Sequence, residues 1–255
     1  MIWVLSGTSE GDAFIRELKR RGVRVLASAV TAQGAENARS AGADEVVARP
    51  LDREMMERLI SRKKVDAVVD ATHPFAVEAS RNAIEACQGA GARYVRLERP
   101  EAELPESRLI HTVDGFEEAA ETAFDLGETV LSTCGVRNIH IFYRRAKSSG
   151  KRLIAKVLPT RESMERCLGL GMAPKDIIGI YGALNKDMYR CLIRWFSAHV
   201  LVTKESGPAG GLEDKVRAAL EEDIPVVVVR RPQVDYPSVA RSPEEVREIL
   251  EVTED

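Results

Sequence analysis

The sequence predicts an α/β protein in which mainly parallel sheets are flanked by helices, and two observations predict it. Short runs rich in valine, isoleucine and leucine alternate along the chain with longer stretches of helical pattern. These runs are nearly all apolar, which is typical of strands that helices cover on both faces, and single helices between them imply parallel pairing. The length of 255 residues fits one large domain or two small ones.

The first half of the chain, residues 1–100, is predicted to form an N-terminal domain. Strands are expected at 2–6, 23–30, 45–48, 67–70 and 93–97, and helices at 10–21, 35–41, 52–62 and 75–89. In the first helix Phe14 and Leu18 lie one turn apart, while basic residues occupy other faces. This spacing predicts an amphipathic helix packed on a sheet.

The second half repeats this alternation after a segment predicted to be a connector, residues 101–126, which follows Pro100 and contains Pro105 and many charges. A C-terminal domain is expected over 127–255. Its strands are predicted at 129–133, 152–157, 177–180, 199–203 and 225–229, and its helices at 138–146, 161–169, 185–196, 211–222 and 243–252. Each half closes on an apolar strand followed by Arg-Pro, which indicates either a duplicated unit or a common way of ending a parallel strand.

Composition excludes several classes of function. Lys and Arg number 37 against 40 Asp and Glu, and aromatic residues are only 5%, which argues against a nucleic-acid-coating or membrane-bound protein. The four cysteines and four histidines are scattered, so we expect neither a disulfide framework nor a metal site. The N-terminus lacks signal-peptide features, and no apolar run approaches the roughly 20 residues that span a bilayer. A cytoplasmic enzyme or binding protein is expected.

Ligands of open parallel sheets bind beyond the carboxyl ends of the strands, so the residues after each strand are the candidates. Gly7-Thr8-Ser9-Glu10-Gly11 follows the first strand. Its glycines allow close approach of a ligand, and the start of a helix suits an anion; the alternative is a tight turn in which Ser9 caps the helix. Thr31 follows the second strand, where NAD sites usually carry an acid. The absence of an acid at this position favours a cofactor with a 2′-phosphate or an unusual ribose contact.

Asp70-Ala71-Thr72-His73-Pro74 is a second strand-to-helix junction. Asp70 or Thr72 could cap the helix, whereas His73 is a titratable group at the ligand edge of the sheet. We therefore keep both a structural and a ligand-binding role open for His73.

Two further loops follow strands of the second half. Cys134-Gly135-Val136-Arg137 combines small residues with a cation, and Cys134 is interpreted as an inert residue because no base lies beside it in sequence. Thr203-Lys204-Glu205-Ser206-Gly207 combines charge, a hydroxyl group and glycine, and we expect it to bind an anion.

Five strings occur in order: Gly7-Thr8-Ser9-Glu10-Gly11, Asp70-Ala71-Thr72-His73-Pro74-Phe75-Ala76, Arg96-Leu97-Glu98-Arg99-Pro100, Lys156-Val157-Leu158-Pro159 and Thr203-Lys204-Glu205-Ser206-Gly207. Through them, and over nearly its whole length, the chain resembles the precorrin-6A reductase family of cobalamin (vitamin B12) biosynthesis. The second and fifth strings are the specific ones.

The resemblance implies two Rossmann-like domains, a tetrapyrrole substrate and NADPH or NADH as cofactor. It implies reduction of one double bond of precorrin-6A, or of its cobalt complex, to give precorrin-6B or its cobalt complex. Such a substrate carries many carboxylates, so a chain of net charge −3 must gather its cations locally. The strand-end cations expected to do so are Arg96, Arg99, Arg137, Lys156, Lys204, Arg230 and Arg231.

The site is assigned from these observations together. The residues expected to bind the cofactor are Gly7, Thr8, Ser9 and Thr31, and those expected to bind the substrate are Thr72, Arg137, Lys204, Ser206 and Gly207. His73 is the expected proton donor, with solvent as the alternative. Either half could hold the nicotinamide, and the protein is expected to be a monomer or a small homo-oligomer. A precorrin methyltransferase and a non-catalytic nucleotide-binding module remain as rival hypotheses.

Overall fold

The computed structural model describes residues 1–251 of the chain. The elements up to the end of the first half are β1 (Ile2–Leu5), α1 (Ser9–Arg20), β2 (Val25–Ser28), α2 (Ala32–Ser40), β3 (Glu45–Val47), α3 (Arg53–Lys63), β4 (Ala67–Asp70), α4 (Val77–Ala90) and β5 (Arg93–Leu97). Those that follow are β6 (Ile110–Val113), α5 (Phe116–Leu126), β7 (Thr129–Ser132), α6 (Ile139–Ser149), β8 (Arg152–Val157), α7 (Arg161–Gly169), β9 (Ile177–Gly179), α8 (Lys186–Phe196), β10 (Val200–Lys204), α9 (Leu212–Glu221), β11 (Val226–Val229), β12 (Val239–Ala240) and α10 (Pro243–Leu250).

These elements form two sheets of six strands, and five strands of each sheet follow the same order. The sixth strand, at the edge, comes last in the chain in one sheet (β12) and first in the other (β6). The first sheet has the order β12-β5-β4-β1-β2-β3 and the second the order β6-β11-β10-β7-β8-β9. Every neighbouring pair is parallel. The predicted α/β class with parallel sheets flanked by helices is confirmed. The shared strand order is what a duplicated unit would produce.

In each sheet the order of the strands reverses at one point, between β1 and β4 in the first sheet and between β7 and β10 in the second. The loops that leave two such strands diverge to opposite faces of the sheet and leave a crevice at the carboxyl edge. The turns after β1 and β4, and those after β7 and β10, therefore hold the candidate sites.

The core of the first unit lies on both faces of its sheet. Alternate residues of β1 point to opposite faces: Ile2 and Val4 pack with α1 and α10, and Trp3 and Leu5 pack with α3 and α4. The second unit buries one face of its sheet under α8 and α9, and α5 and α6 pack on the same sheet. Burial on both faces explains why the strands are apolar throughout.

The structure divides the chain differently from the predicted boundaries. One unit comprises Met1–Pro100 and the chain from Gln233 onward, and the other comprises Glu101–Pro232. The predicted connector holds β6 and α5, and β6 pairs with β11. The final segment, predicted to belong to the C-terminal domain, pairs β12 with β5 and packs α10 on the first sheet. The strand β12 has only two residues and β6 contains His111 and Thr112, so neither gives the apolar run that marks most of the other strands.

Most predicted helices begin within one residue of their observed starts, and only α2 and α4 differ by two or three residues. The helix α2 begins at Ala32 because Thr31 caps it, three residues before the predicted start. The helix α4 begins at Val77 and has no side-chain cap, so neither Asp70 nor Thr72 plays that role. The predicted end of α10 at Val252 lies outside the described residues. No helix within residues 1–251 combines the length and apolar character needed to cross a bilayer.

Candidate functional site

The turn after β1 leaves room for a ligand at Gly7. This glycine has a φ of +106°, a conformation that L side chains rarely adopt, and a Cβ atom built there would have no neighbour within 4 Å. In the structure the residue that caps α1 is Thr8, whereas the sequence analysis offered Ser9. The Thr8 hydroxyl accepts a hydrogen bond from the Gly11 N–H at 3.2 Å and donates one to the Ala71 carbonyl at 2.7 Å. Its side chain thus joins the turns after β1 and β4 and is occupied in doing so.

Two acids follow this turn, and both are engaged by neighbours. The Glu10 carboxylate accepts from Arg99 at 2.9 Å and from the Ser9 hydroxyl at 3.0 Å. Asp12 is buried and accepts from the Ser6 hydroxyl at 2.8 Å. Burial raises the pKa of Asp12, against the lowering effect of Ser6. Arg99 offsets the charge of Glu10 at the start of α1, which favours an anionic ligand at the turn.

The turn after β2 lies close to the turn after β1. The Thr31 hydroxyl accepts from the Gly34 N–H at 3.0 Å, and a Cβ at Gly34 would lie 3.6 Å from the Gly7 Cα. Residues 29–34 contain no acid, so the usual carboxylate for ribose hydroxyls is missing here. Of the expected cofactor residues, Gly7, Thr8 and Thr31 therefore meet at one edge of the first sheet.

The turn after β4 is built on a buried ion pair between Asp70 and Arg96, which are 0% and 1% exposed. One Asp70 oxygen accepts from Arg96 Nη1 at 2.9 Å, and the other accepts from the Tyr94 hydroxyl at 2.7 Å. Burial would raise the pKa of Asp70, but Arg96 and the hydrogen bonds of Ser80 and Thr72 hold it below its ordinary value. The carboxylate is therefore ionised.

The same pair holds Thr72 through its backbone and its side chain. The Thr72 N–H and hydroxyl both donate to Asp70 Oδ1, at 3.0 and 2.7 Å. Arg96 donates to the Thr72 hydroxyl at 3.1 Å and to its carbonyl at 3.0 Å. The side chain of Thr72, an expected substrate contact, is thus committed to this network.

His73 follows directly and is half-buried. Its Nδ1 accepts a hydrogen bond from the Phe75 N–H at 3.2 Å, and its carbonyl accepts from the Ala76 N–H at 2.7 Å. Because Nδ1 is an acceptor, the neutral ring carries its proton on Nε2. His73 and Thr72 share the edge of Gly7, Thr8 and Thr31.

The second unit gathers lysines at the carboxyl edge of its sheet. Lys204 ends β10, Lys156 lies near the end of β8, and Lys215 lies on α9. Burial lowers the pKa of Lys215 to about 8, with a smaller effect from repulsion by Lys156 and Lys204, while Cys134 opposes the shift. Burial also lowers the pKa of Lys204, and repulsion by Arg137 contributes. These four cations and Cys134, which we call the cation cluster, therefore interact electrostatically.

Within residues 1–251 the cation cluster receives little charge compensation from acids. Lys215 donates to the Gly210 carbonyl at 2.8 Å and Lys156 to the Gly182 carbonyl at 2.9 Å, and neither forms an ion pair in this part of the chain. The nearest acid in sequence, Glu205, is bound to Arg231 and accepts from the Gly207 N–H at 2.9 Å. A buried ammonium group without an acidic partner within residues 1–251, as at Lys215, is costly, so this region favours an anionic ligand.

Gly207 and Ser206 shape the loop beside the cation cluster. Gly207 has φ 71° and ψ 179°, a combination essentially restricted to glycine. Ser206 is buried. Burial raises the pKa of Cys134 to about 11, against the lowering effect of Lys204, so its thiol is protonated near neutral pH and is a poor nucleophile.

The other expected strand-end cations are held by acids of their own units. Arg96 pairs with Asp70, Arg99 with Glu10, Arg230 with Asp114 and Arg231 with Glu205. Each of these four arginines thus has an acidic partner inside the protein, and its contact with substrate carboxylates stays a prediction. Sequence alone could not separate them from Lys204, because strand-end position is shared and pairing partners lie far away in the chain.

Two residues of these candidate sites, Lys215 and Tyr94, were not predicted from the sequence. Lys215 lies inside a helix, not at a strand end, and Tyr94 lies within a strand; neither belongs to a recognisable motif. Their only sequence signal is a polar group on an element that is otherwise largely buried. Among residues 1–251, no group of three or more His, Cys, Asp or Glu side chains is arranged to hold a metal ion.

Two parallel six-stranded units, one with an open glycine turn and one with a cation cluster at its reversal point, define a Rossmann-like α/β protein suited to anionic small molecules. The chain matches the family described as precorrin-6x reductase CbiJ/CobK over residues 1–252. It belongs to this family and is an oxidoreductase of cobalamin biosynthesis, as the resemblance implied.

Individual relatives agree. The chain is 38% identical to a cobalt-precorrin-6A reductase of Methanothermobacter thermautotrophicus, over 91% of this chain and 76% of the relative. It is 36% identical to a cobalt-precorrin-6A reductase of Priestia megaterium, over 96% of both chains. The solved structure of a CobK precorrin-6A reductase superposes with a TM-score of 0.79 at 21% identity, covering 98% of this chain and 96% of the other. The last comparison supports the fold.

Proposed function

We propose that the protein reduces one double bond of the precorrin-6A macrocycle in its cobalt complex, with NADH or NADPH as the hydride donor. The cation cluster carries this proposal, because it brings together one buried cation, Lys215, two half-buried lysines and the exposed Arg137, a set of positive charges suited to the carboxylates of a tetrapyrrole. The names of the two relatives above favour the cobalt complex over the metal-free macrocycle.

The substrate carboxylates are assigned to the second unit. Lys204 and Arg137 were expected there, and Lys156 and Lys215 join them in the cation cluster.

The cofactor is assigned to the first unit. Open space at Gly7 is what close approach of a pyrophosphate needs, and the N-terminus of α1, where Arg99 pairs with Glu10, suits phosphate charge. Gly7 and Thr31 would border the cofactor through adjacent turns, and the N–H of Ser9 at the start of α1 would face its phosphates. These residues fit a nicotinamide dinucleotide without an acidic ribose contact.

The reaction adds a hydride to one carbon of the double bond and a proton to its neighbour, while the reduced nicotinamide becomes oxidised. When bound, the dihydronicotinamide supplies the hydride, and the protein contributes orientation and charge. The imidazolium form of His73 is the assigned proton donor, and once it has given up one proton, the neutral ring accepts the Phe75 N–H at Nδ1. Lys204 and its neighbours hold the carboxylates so that the macrocycle keeps one orientation.

Anaerobic incubation with cobalt-precorrin-6A, or with the metal-free macrocycle, tests the proposal when each substrate is combined with NADH or NADPH. We expect loss of absorbance of the reduced nicotinamide in equal amount to the product formed, and faster turnover of the cobalt complex. A sulfonium methyl donor replaces the nicotinamide in a parallel reaction. Methyl transfer there, or nicotinamide binding by calorimetry without turnover, would contradict the proposal and favour one of the rival hypotheses.

Replacing Lys204 by alanine tests the assignment of the cation cluster. We expect Lys204→Ala to raise KM for the tetrapyrrole by about tenfold or more, since a charge-assisted hydrogen bond contributes roughly 1.5–3 kcal/mol, and to change the Kd of the nicotinamide little. The control is Lys186→Ala, which removes a surface lysine paired with Glu221. Equal loss of affinity for both ligands would contradict the division between the two units.

A further inference from the structure

We propose that the buried pair Asp70–Arg96, together with Tyr94, is a positioning device that holds the turn after β4 and thereby orients the His73 ring. This inference rests on the proposed function only in giving His73 a role in the reaction. The geometry itself belongs entirely to the first unit.

The contacts of the pair converge on one residue. The Thr72 N–H, hydroxyl and carbonyl are all hydrogen-bonded to Asp70 or Arg96, at distances from 2.7 to 3.1 Å. Tyr94 occupies the second oxygen of Asp70 at 2.7 Å, so the carboxylate cannot rotate without losing a bond. Thr72 is therefore fixed in position and orientation immediately before His73.

The other side of His73 is fixed by the turn itself. Phe75 and Ala76 donate their N–H groups to the His73 ring and carbonyl. The imidazole is thus held between the Thr72 clamp and these two bonds, with Nδ1 as the acceptor. Movement of Thr72 would shift the His73 backbone and weaken the bond that selects the Nε2–H form.

Stability alone does not account for this arrangement. A buried ion pair is often no more stabilising than packed apolar side chains. The Nε of Arg96 is buried without a hydrogen-bond partner within residues 1–251, and the guanidinium lies 5.2 Å from the centre of the Tyr236 ring. Arg96 thus directs Nη1 and Nη2 to Asp70 and Thr72 and leaves its Nε without a partner in this part of the chain. This is the arrangement expected if the ion pair serves to place Thr72.

Arg96→Lys tests the device, because lysine keeps the charge beside Asp70 but has one ammonium group that cannot bond both Asp70 and the Thr72 carbonyl. We expect kcat to fall about tenfold or more and KM for both ligands to stay within about twofold, since only the orientation of a reacting group changes. The matched control is Arg247→Lys in the same unit, where the arginine pairs with Glu17 at 2.8 Å. It should leave kcat unchanged.

A double-mutant cycle distinguishes positioning from general stability. In a His73→Gln background, Arg96→Lys should lower kcat by less than about twofold further, because residues that act as a unit are not additive. If the two losses multiply instead, Arg96 does not act through His73 and the proposal is overturned.

The ring itself gives a readout that needs no turnover. In the unaltered protein, ¹⁵N NMR of the imidazole at a pH where it is neutral should show protonated Nε2 and unprotonated Nδ1 for His73, and Arg96→Lys should mix the two forms. If Arg96→Lys does not fold, Thr72→Val replaces it, because this substitution removes the hydroxyl that bonds Asp70 and Arg96. Thr72→Val should also mix the two ring forms. Thr72→Ser keeps a hydroxyl and should show mostly the Nε2–H form. Unchanged ring resonances in the folded variants would overturn the proposal, whereas wild-type kcat in His73→Gln would overturn only the assigned role of His73.

Discussion

Lys215→Met should make the protein more stable at neutral pH while weakening its binding of the substrate. Lys215 is 7% exposed. Its ammonium group donates a hydrogen bond to the Gly210 carbonyl and lies 5.9 Å from the centre of the Tyr189 ring. Methionine keeps the length and volume of the side chain and removes the charge. The substitution therefore isolates what the buried charge contributes.

The magnitude follows from the pKa. Burial lowers the pKa of Lys215 from 10.5 to about 8, and at about 1.4 kcal/mol per unit the charged form destabilises the folded state by about 3 kcal/mol. The lost bond to Gly210 offsets about 1 kcal/mol of the gain. We expect Lys215→Met to raise the free energy of unfolding by about 2 kcal/mol at pH 7, and to raise KM for the tetrapyrrole.

The pH dependence has a definite sign. The folded pKa of Lys215 lies below the unfolded value, so between about pH 8 and 10.5 the unfolded state binds more protons and the parent protein gains stability as pH rises. The advantage of methionine should therefore be fully present below pH 8 and disappear toward pH 10.5. Urea unfolding at pH 7, 9 and 10.5 measures it, with Lys186→Met as the control. A variant less stable than the parent at pH 7, or a difference independent of pH, would refute the reasoning.

Three further substitutions test the fold and the first unit. Gly11→Ala should destabilise the protein by about 1–3 kcal/mol in urea unfolding, because its Cβ would lie 2.8–3.3 Å from atoms of the turns after β1 and β4, whereas Gly169→Ala meets nothing within 4 Å and should cost nothing. Gly7→Val should abolish nicotinamide binding in calorimetry, while Gly150→Val, also at positive φ in open space, should cost about 1–3 kcal/mol of stability and leave binding intact; unchanged binding in the first variant would remove this turn from the site. Asp70→Asn should destabilise by about 3–5 kcal/mol at pH 7 because the arginine beside it stays buried and charged, with the difference shrinking as pH falls below the unfolded pKa of the aspartate; a constant difference would contradict this.

The prediction of the fold succeeded where local pattern and packing agree. The strands β4, β5 and β8 were predicted with their observed bounds, since an apolar run with defined ends is a local signal. The strands β6 and β12 were missed because a short strand needs little apolar surface once it pairs with an edge already in place.

The site itself stays a prediction, and the structure adds where its expected residues lie and which partners they have. Gly7, Thr31 and His73 lie at one carboxyl edge, as the rule for parallel sheets requires. Arg96 was expected to face the substrate, but it is buried against Asp70. Its neighbours along the chain give no sign of that contact, because the two residues meet only when β4 and β5 pair.

By itself, the sequence determined most of the strands and helices, their parallel pairing and the loops in which a ligand could bind, since each follows from side-chain pattern within a few consecutive residues. Only the tertiary structure decided that β6, α5 and β12 form, that the segment after Gln233 returns to the first sheet, which strand-end cations pair with acids, and that Lys215 joins Lys204 in one cluster. The physical reason is that charge compensation and burial depend on distances between residues far apart in the chain, and these distances exist only after the sheets have formed.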